Sequence, residues 1–126
     1  VIELTTDGKA ISNKLVVNDT LQAKKIVAEN LQAKNIVAQD IKVQILNGAD
    51  YVFDADYELK SLSEVESFIT TNKHFPGIPS EIVMQENGLN MNQFQIQLLQ
   101  KVEELTLYII QQNKRIEELE NTLSNK

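Results

Sequence analysis

The sequence predicts an elongated, fibrous α+β protein built from an intertwined β shaft, a small helical collar and a C-terminal parallel coiled coil. Three observations carry that expectation. A five-residue repeat runs through residues 10–48, aromatic residues and helix caps cluster between 49 and 90, and an unbroken four-three spacing of seam residues runs from 91 towards the end. The boundaries follow: 1–48 shaft, 49–90 collar, 91–126 long helix.

Composition narrows the function classes. Of the 126 residues, 42% are apolar but only 6% aromatic, with no Trp, which suits elongated repetitive packing better than a compact catalytic core. The absence of Cys removes disulfides, thiolate nucleophiles and cysteine metal sites. A net charge of −6 argues against nucleic acid and anionic membrane as partners. No apolar run approaches the ~20 residues of a membrane span, so no membrane insertion is expected. The start at Val1, without Met or a signal peptide, suggests a piece of a longer fibre protein.

The first residues alternate (Val1-Ile2-Glu3-Leu4-Thr5), turn at Asp7-Gly8 and resume at Ile11 and Leu15-Val16-Val17, the pattern of short strands. A repeat follows, Leu21-Gln-Ala-Lys-Lys-Ile-Val-Ala-Glu-Asn and then Leu31-Gln-Ala-Lys-Asn-Ile-Val-Ala-Gln-Asp, each unit being two pentads. Large apolar residues fall at Leu21, Ile26, Leu31, Ile36, Ile41 and Leu46, the expected shaft core, with smaller residues two places later. Gln, Ala, Lys and Glu favour a helix. Five residues turn an α-helix by about 500°, however, so successive large residues would sit about 140° apart and build no face. In an extended chain positions 0 and +2 share a face, and the rest can turn a corner. That reads as a coiling β-helix whose exposed edges three intertwined chains would cover.

After Gly48-Ala49-Asp50 the composition changes. Tyr51, Phe53 and Tyr57 gather three of the seven aromatics in one short stretch, as a small core locking shaft to helix or as a recognition platform. Ser61-Leu-Ser-Glu64 has capping-box spacing, and Leu62, Val65, Phe68 and Ile69 share one face, predicting a helix over about 62–71. His74-Phe-Pro-Gly-Ile-Pro-Ser80 reads as a constrained turn. Ser80 is the expected cap of a second short helix stopped by Gly88, and Asn90 or Asn92 the start of the third.

From Met91 the residues Met91, Gln95, Leu98, Val102, Leu105, Ile109, Gln112, Ile116, Leu119 and Leu123 form a heptad seam, the expected oligomer interface. With Val102, Ile109, Ile116 and Leu123 at position a, Leu98, Leu105 and Leu119 fall at d, a choice that by itself favours two strands. A trimeric shaft would impose three. Gln95 and Gln112 weaken the seam and can fix register. Arg115 at g faces Glu120 at e of a parallel neighbour, worth at most about 1 kcal/mol when exposed.

Ala49-Asp50-Tyr51-Val52-Phe53, Tyr57-Glu-Leu59, Leu62-Ser-Glu64-Val65-Glu66, Lys73-His74-Phe75-Pro76-Gly77-Ile78-Pro79-Ser80, Asn87-Gly88 and the run Leu98 to Ile110 together resemble the carboxy-terminal module of tail-fibre-like proteins of Bacteroidetes bacteria and their phages. The resemblance covers roughly residues 40–120. It implies the end of a fibre or surface appendage, akin to the trimeric tips of phages and related injection machines, and carries no active site. His74-Phe75-Pro76 departs from the His-Leu-Pro of that pattern, apolar for apolar.

Chemistry finds little to work with. His74, alone in the chain, could ligate a metal only as a threefold ring, and a turn histidine bonded to backbone is the simpler role. Lys60 and Ser61 supply the residue types of a self-cleaving intramolecular chaperone, but Ser61 is already used as a helix cap. Glu103-Glu104 and Glu117-Glu118 read as the solvated flank of the helix. The expectation is therefore a non-enzymatic homotrimer without cofactor or metal, extracellular or on a virion or appendage surface, registering three chains for shaft assembly. The rivals are a tip that binds a cell-surface receptor or glycan through Tyr51, Phe53 and Tyr57, and the self-cleaving chaperone.

Overall fold

Backbone hydrogen bonds sort this chain into a long helical part and a part that has almost none. In the computed structural model, residues 1, 2, 5, 46 and 126 are not described, nor are the side chains of Glu3 and Leu4. The chain divides into two units, Val1–Gln39 and Asp40–Lys126.

The first unit opens on a minimal hairpin. β1 (Glu3–Leu4) pairs antiparallel with β2 (Ala10–Ile11), Glu3 opposite Ile11 and Leu4 opposite Ala10. The turn between them uses Gly8 at φ 80°, a left-handed angle that glycine adopts without steric cost. Val1, Ile2 and Thr5, the rest of the expected first strand, lie outside the described residues. Leu15-Val16-Val17 forms no strand.

The intertwined β shaft is overturned. Strand among the described residues is confined to that hairpin, and regular structure is predominantly helical. Among the described residues, 12–48 carry no backbone–backbone hydrogen bond. The five-residue period instead reappears as bends at Asn13, Asn18-Asp19, Lys24, Glu29, Lys34 and Gln39. Each pentad places one bend, and among the described residues no segment of the repeat pairs with another. A ladder needs two strands side by side, so none forms. The expected shaft-core residues Leu21, Ile26, Leu31, Ile36 and Ile41 are accordingly 60–74% exposed rather than packed, and Leu46 lies outside the described residues.

The second unit holds three helices. A 3₁₀ turn, Asp50–Phe53, comes first and packs against the last helix, burying Ala49 and Val52. α1 (Leu62–Asn72) starts from a full capping box, with Ser61 Oγ accepting from the Glu64 N–H and Glu64 Oε2 accepting from the Ser61 N–H. It stops at Lys73, which takes the left-handed conformation at φ 62° and donates its N–H to Ile69 O at 2.8 Å. Phe75-Pro76-Gly77-Ile78 then makes a tight turn closed by Ile78 N–H to Phe75 O at 3.2 Å. Pro76 presets the first central φ, and Gly77, at φ 77°, supplies the positive angle that a type II turn requires at the second.

α2 (Glu81–Asn87) is capped by Ser80 and ended by Gly88 at φ 72°. α3 (Met91–Ser124) is capped by Asn90, whose Oδ1 accepts from the Gln93 N–H at 3.0 Å. At 34 residues it extends about 50 Å.

Candidate functional site

Two surfaces of α3 differ in kind: a side latched to the collar and a side left open. The latch begins with the tyrosines that precede α1. Tyr51 and Tyr57 lie with ring centroids 5.9 Å apart, tilted by 54°. Tyr51 donates its hydroxyl to Gln100 Oε1 at 2.6 Å, and Tyr57 donates to Glu104 Oε1. Gln100 Nε2 closes the set, donating to Glu104 Oε1 at 3.2 Å and to the Tyr57 hydroxyl at 3.3 Å. Lys101 Nζ holds the other carboxylate oxygen of Glu104 at 2.9 Å. One turn further, the buried Tyr108 donates its hydroxyl to the carbonyl of Lys60 at 2.6 Å, just before the α1 cap.

Sequence spacing explains why these groups meet. Gln100, Glu104 and Tyr108 recur every fourth residue and so lie on one face of α3. Burial pushes the Glu104 carboxyl up, but the Tyr57 hydroxyl, the Lys101 ammonium and the Gln100 amide outweigh it and hold the group below the usual carboxylate range. Tyr57 is pushed up to about 12 by burial and then by its hydrogen bond to Glu104. Burial, followed by the charges of Glu104 and Glu64, raises Tyr108 as well. All three shifts favour one arrangement, neutral tyrosines donating to an ionised carboxylate.

Beside the latch, an open cleft of about 230 Å³ is bounded by Lys60 and Val65, by the Phe75-Pro76-Gly77 turn, and by Leu105 and Tyr108 of α3. Of the charged residues around it, Glu58, Lys60, Lys101 and Glu104, the last two are paired with each other. Among the described residues, no group of three His, Cys, Asp or Glu is placed to hold a metal. His74 Nδ1 bonds the Phe75 carbonyl oxygen at 3.0 Å, and its ring meets Phe68 edge-on at 5.4 Å. Ser61 is engaged in its cap, and Lys60 contributes its carbonyl to Tyr108.

The other surface is the seam. Met91, Leu98, Val102, Leu105, Ile109, Ile116, Leu119 and Leu123 are 43–71% exposed, and Gln95 and Gln112 are exposed among them. Tyr51 and Phe53 also present ring surface to solvent, Phe53 at 55% exposure, whereas Tyr57 is half-buried.

Glu103-Glu104 corrects the reading of a solvated flank. Glu104 is a latch residue, and Glu103 is only 8% exposed with its Oε2 lacking any hydrogen-bond partner. Sequence reasoning missed Gln100, Lys101 and Glu104 as collar contacts. The available signal was the i, i+4 series beginning at Gln100, opposite a tyrosine-rich segment.

The chain matches no family model, no curated protein and no solved structure. Among the described residues, no helix is long and apolar enough to cross a membrane.

Proposed function

We propose that this chain is a non-enzymatic, self-associating end module of a tail fibre or bacterial surface appendage, extracellular or on a virion surface. Three copies join through their α3 seams, and the joined helices hold the attached repeat arms in register. The collar's task is to orient the chain leading into α3 by latching Tyr51, Tyr57 and Tyr108 to fixed points.

The observation that carries this reading is the seam's exposure along the whole of α3 while the collar occupies a different side. An apolar row of that length exceeds the scattered single residues found on any soluble surface. From Gln111 to Asn125 every residue is exposed, so no described residue buries that half. Isolated helices of about that length are marginal in water. A partner helix supplies the missing burial. The number three rests on the resemblance to fibre tips, since the a and d residues alone lean towards two.

Native mass spectrometry of the full chain tests the proposal. Three chains are expected. Two chains would keep the self-association and remove the trimer; a monomer at micromolar concentration would remove both.

The exposed Tyr51 and Phe53 rings support a second reading, a receptor- or glycan-binding tip. It requires binding to cells or glycans that Phe53→Ala abolishes while the assembly stays intact.

A further inference from the structure

The two flanks of the seam are unlike each other. On the heptad frame the g positions Phe94, Lys101 and Tyr108 are half-buried or buried, because the collar lies along that flank. On the opposite flank, the e positions Leu99 and Thr106 are exposed, and Leu99, at 46%, is a large apolar residue outside the seam. In a parallel pairing, g of one helix faces e of its neighbour five residues on. Phe94 therefore meets Leu99, Lys101 meets Thr106, Tyr108 meets Asn113 and Arg115 meets Glu120. An apolar residue lands opposite an apolar one and a cation opposite an anion. An antiparallel pairing would set g against g and separate Phe94 from Leu99.

A shallow cleft of about 110 Å³ lies at the end of the collar-covered flank, bounded by the apolar Pro79, Leu89 and Phe94 and by the polar Asn90, Gln93 and Gln97. Leu89 is itself largely exposed. Resting on the self-association proposed above, we infer that the open flank of each helix packs on the collar-covered flank of the next. Leu99 of one chain then covers Phe94 and this cleft in its neighbour. The contact is head-to-tail, one kind of flank on the other, and it closes because parallel chains around an axis present the same pair of flanks at every junction. The collar thereby becomes part of the interface, and a chain whose collar is undocked is a poor partner.

Chains carrying Phe94→Cys and chains carrying Leu99→Cys test the contact, since the protein contains no other cysteine. The two variants are mixed, allowed to exchange and treated with a short thiol-directed bifunctional cross-linker. Mixed 94–99 products should dominate over like-with-like products; an excess of like-with-like products would overturn the inference. Leu99→Ser in the full chain gives an independent reading that does not disturb Phe94. Loss of the buried leucine should weaken association about tenfold or more, with Leu99→Met close to the parent. Unchanged association of Leu99→Ser, in a parent that native mass spectrometry shows to be oligomeric, overturns the flank contact and leaves the seam intact. A monomeric parent overturns both.

Discussion

The two halves of α3 are one continuous helix held by different means. From Met91 to Ile110 one side of the helix is tied to the collar by tyrosine hydroxyls and buried apolar surface. From Gln111 to Asn125 every residue is exposed, and the Arg115–Glu118 pair spans 3.7 Å with both side chains largely exposed. Such a pair contributes well under about 1 kcal/mol. The first half can therefore be a helix in a single chain, whereas the proposed self-association would cover the seam of the second. On that proposal, fold and assembly are separable in the first half and inseparable in the second.

Removing residues 111–126 should have the largest effect on the assembly. Ile116, Leu119 and Leu123 are lost, together more than about 4 kcal/mol of burial per chain. The assembly should still form through Met91 to Ile109 but melt much earlier in calorimetry. Complete loss of assembly would break the division, because the collar-backed half would then be unable to associate alone. Tyr108→Ala should act on the first half instead, costing about 3 kcal/mol through lost packing and an abandoned Lys60 carbonyl. Hydrogen exchange should show collar amides losing the most protection, with a smaller loss over 111–124 as the weakened flank contact lowers association.

A smaller effect is expected from pH. Glu104 has a folded-state value below its ordinary 4.5, so its contribution is complete above that pH and disappears as pH falls through the lower value. Tyr57, raised from 10 to about 12, contributes fully below pH 10 and loses its contribution as pH rises through about 12. Melting temperatures followed downward from about pH 6 should fall for the parent, and fall less for Glu104→Gln. An equal acid slope in the two proteins would show that the latch carries no pH dependence. The smallest change is a gain: Glu103→Met replaces a buried carboxylate with an unpartnered oxygen and should add about 1 kcal/mol in urea unfolding. It should do so without altering the distal half.

Elements defined by neighbours in sequence were legible beforehand. The Ser61–Glu64 capping box, the Ser80 and Asn90 caps and the Gly88 stop each depend on groups within a few residues, and all occur where the spacing places them. The pentad repeat was legible as a period but not as a structure. Its bends every five residues are local, whereas the ladder expected between them needed distant segments to pair, which they do not. Glu103 and Glu104 were misread for a related reason: a carboxylate on a helix gives no local sign of which loop will cover it.

By itself, then, the sequence determined the caps, the turns, the bend period and the four-three row along α3, because helical and extended geometry convert spacing directly into direction. Only the tertiary structure decided that the tyrosines before α1 would reach Gln100 and Glu104 and that Tyr108 would reach the Lys60 carbonyl, and thus which flank of the seam is covered. Those contacts join residues more than forty positions apart. Their formation depends on the Val52 and Ala49 packing that brings the 3₁₀ turn onto the helix, a choice among burial sites that no single segment encodes.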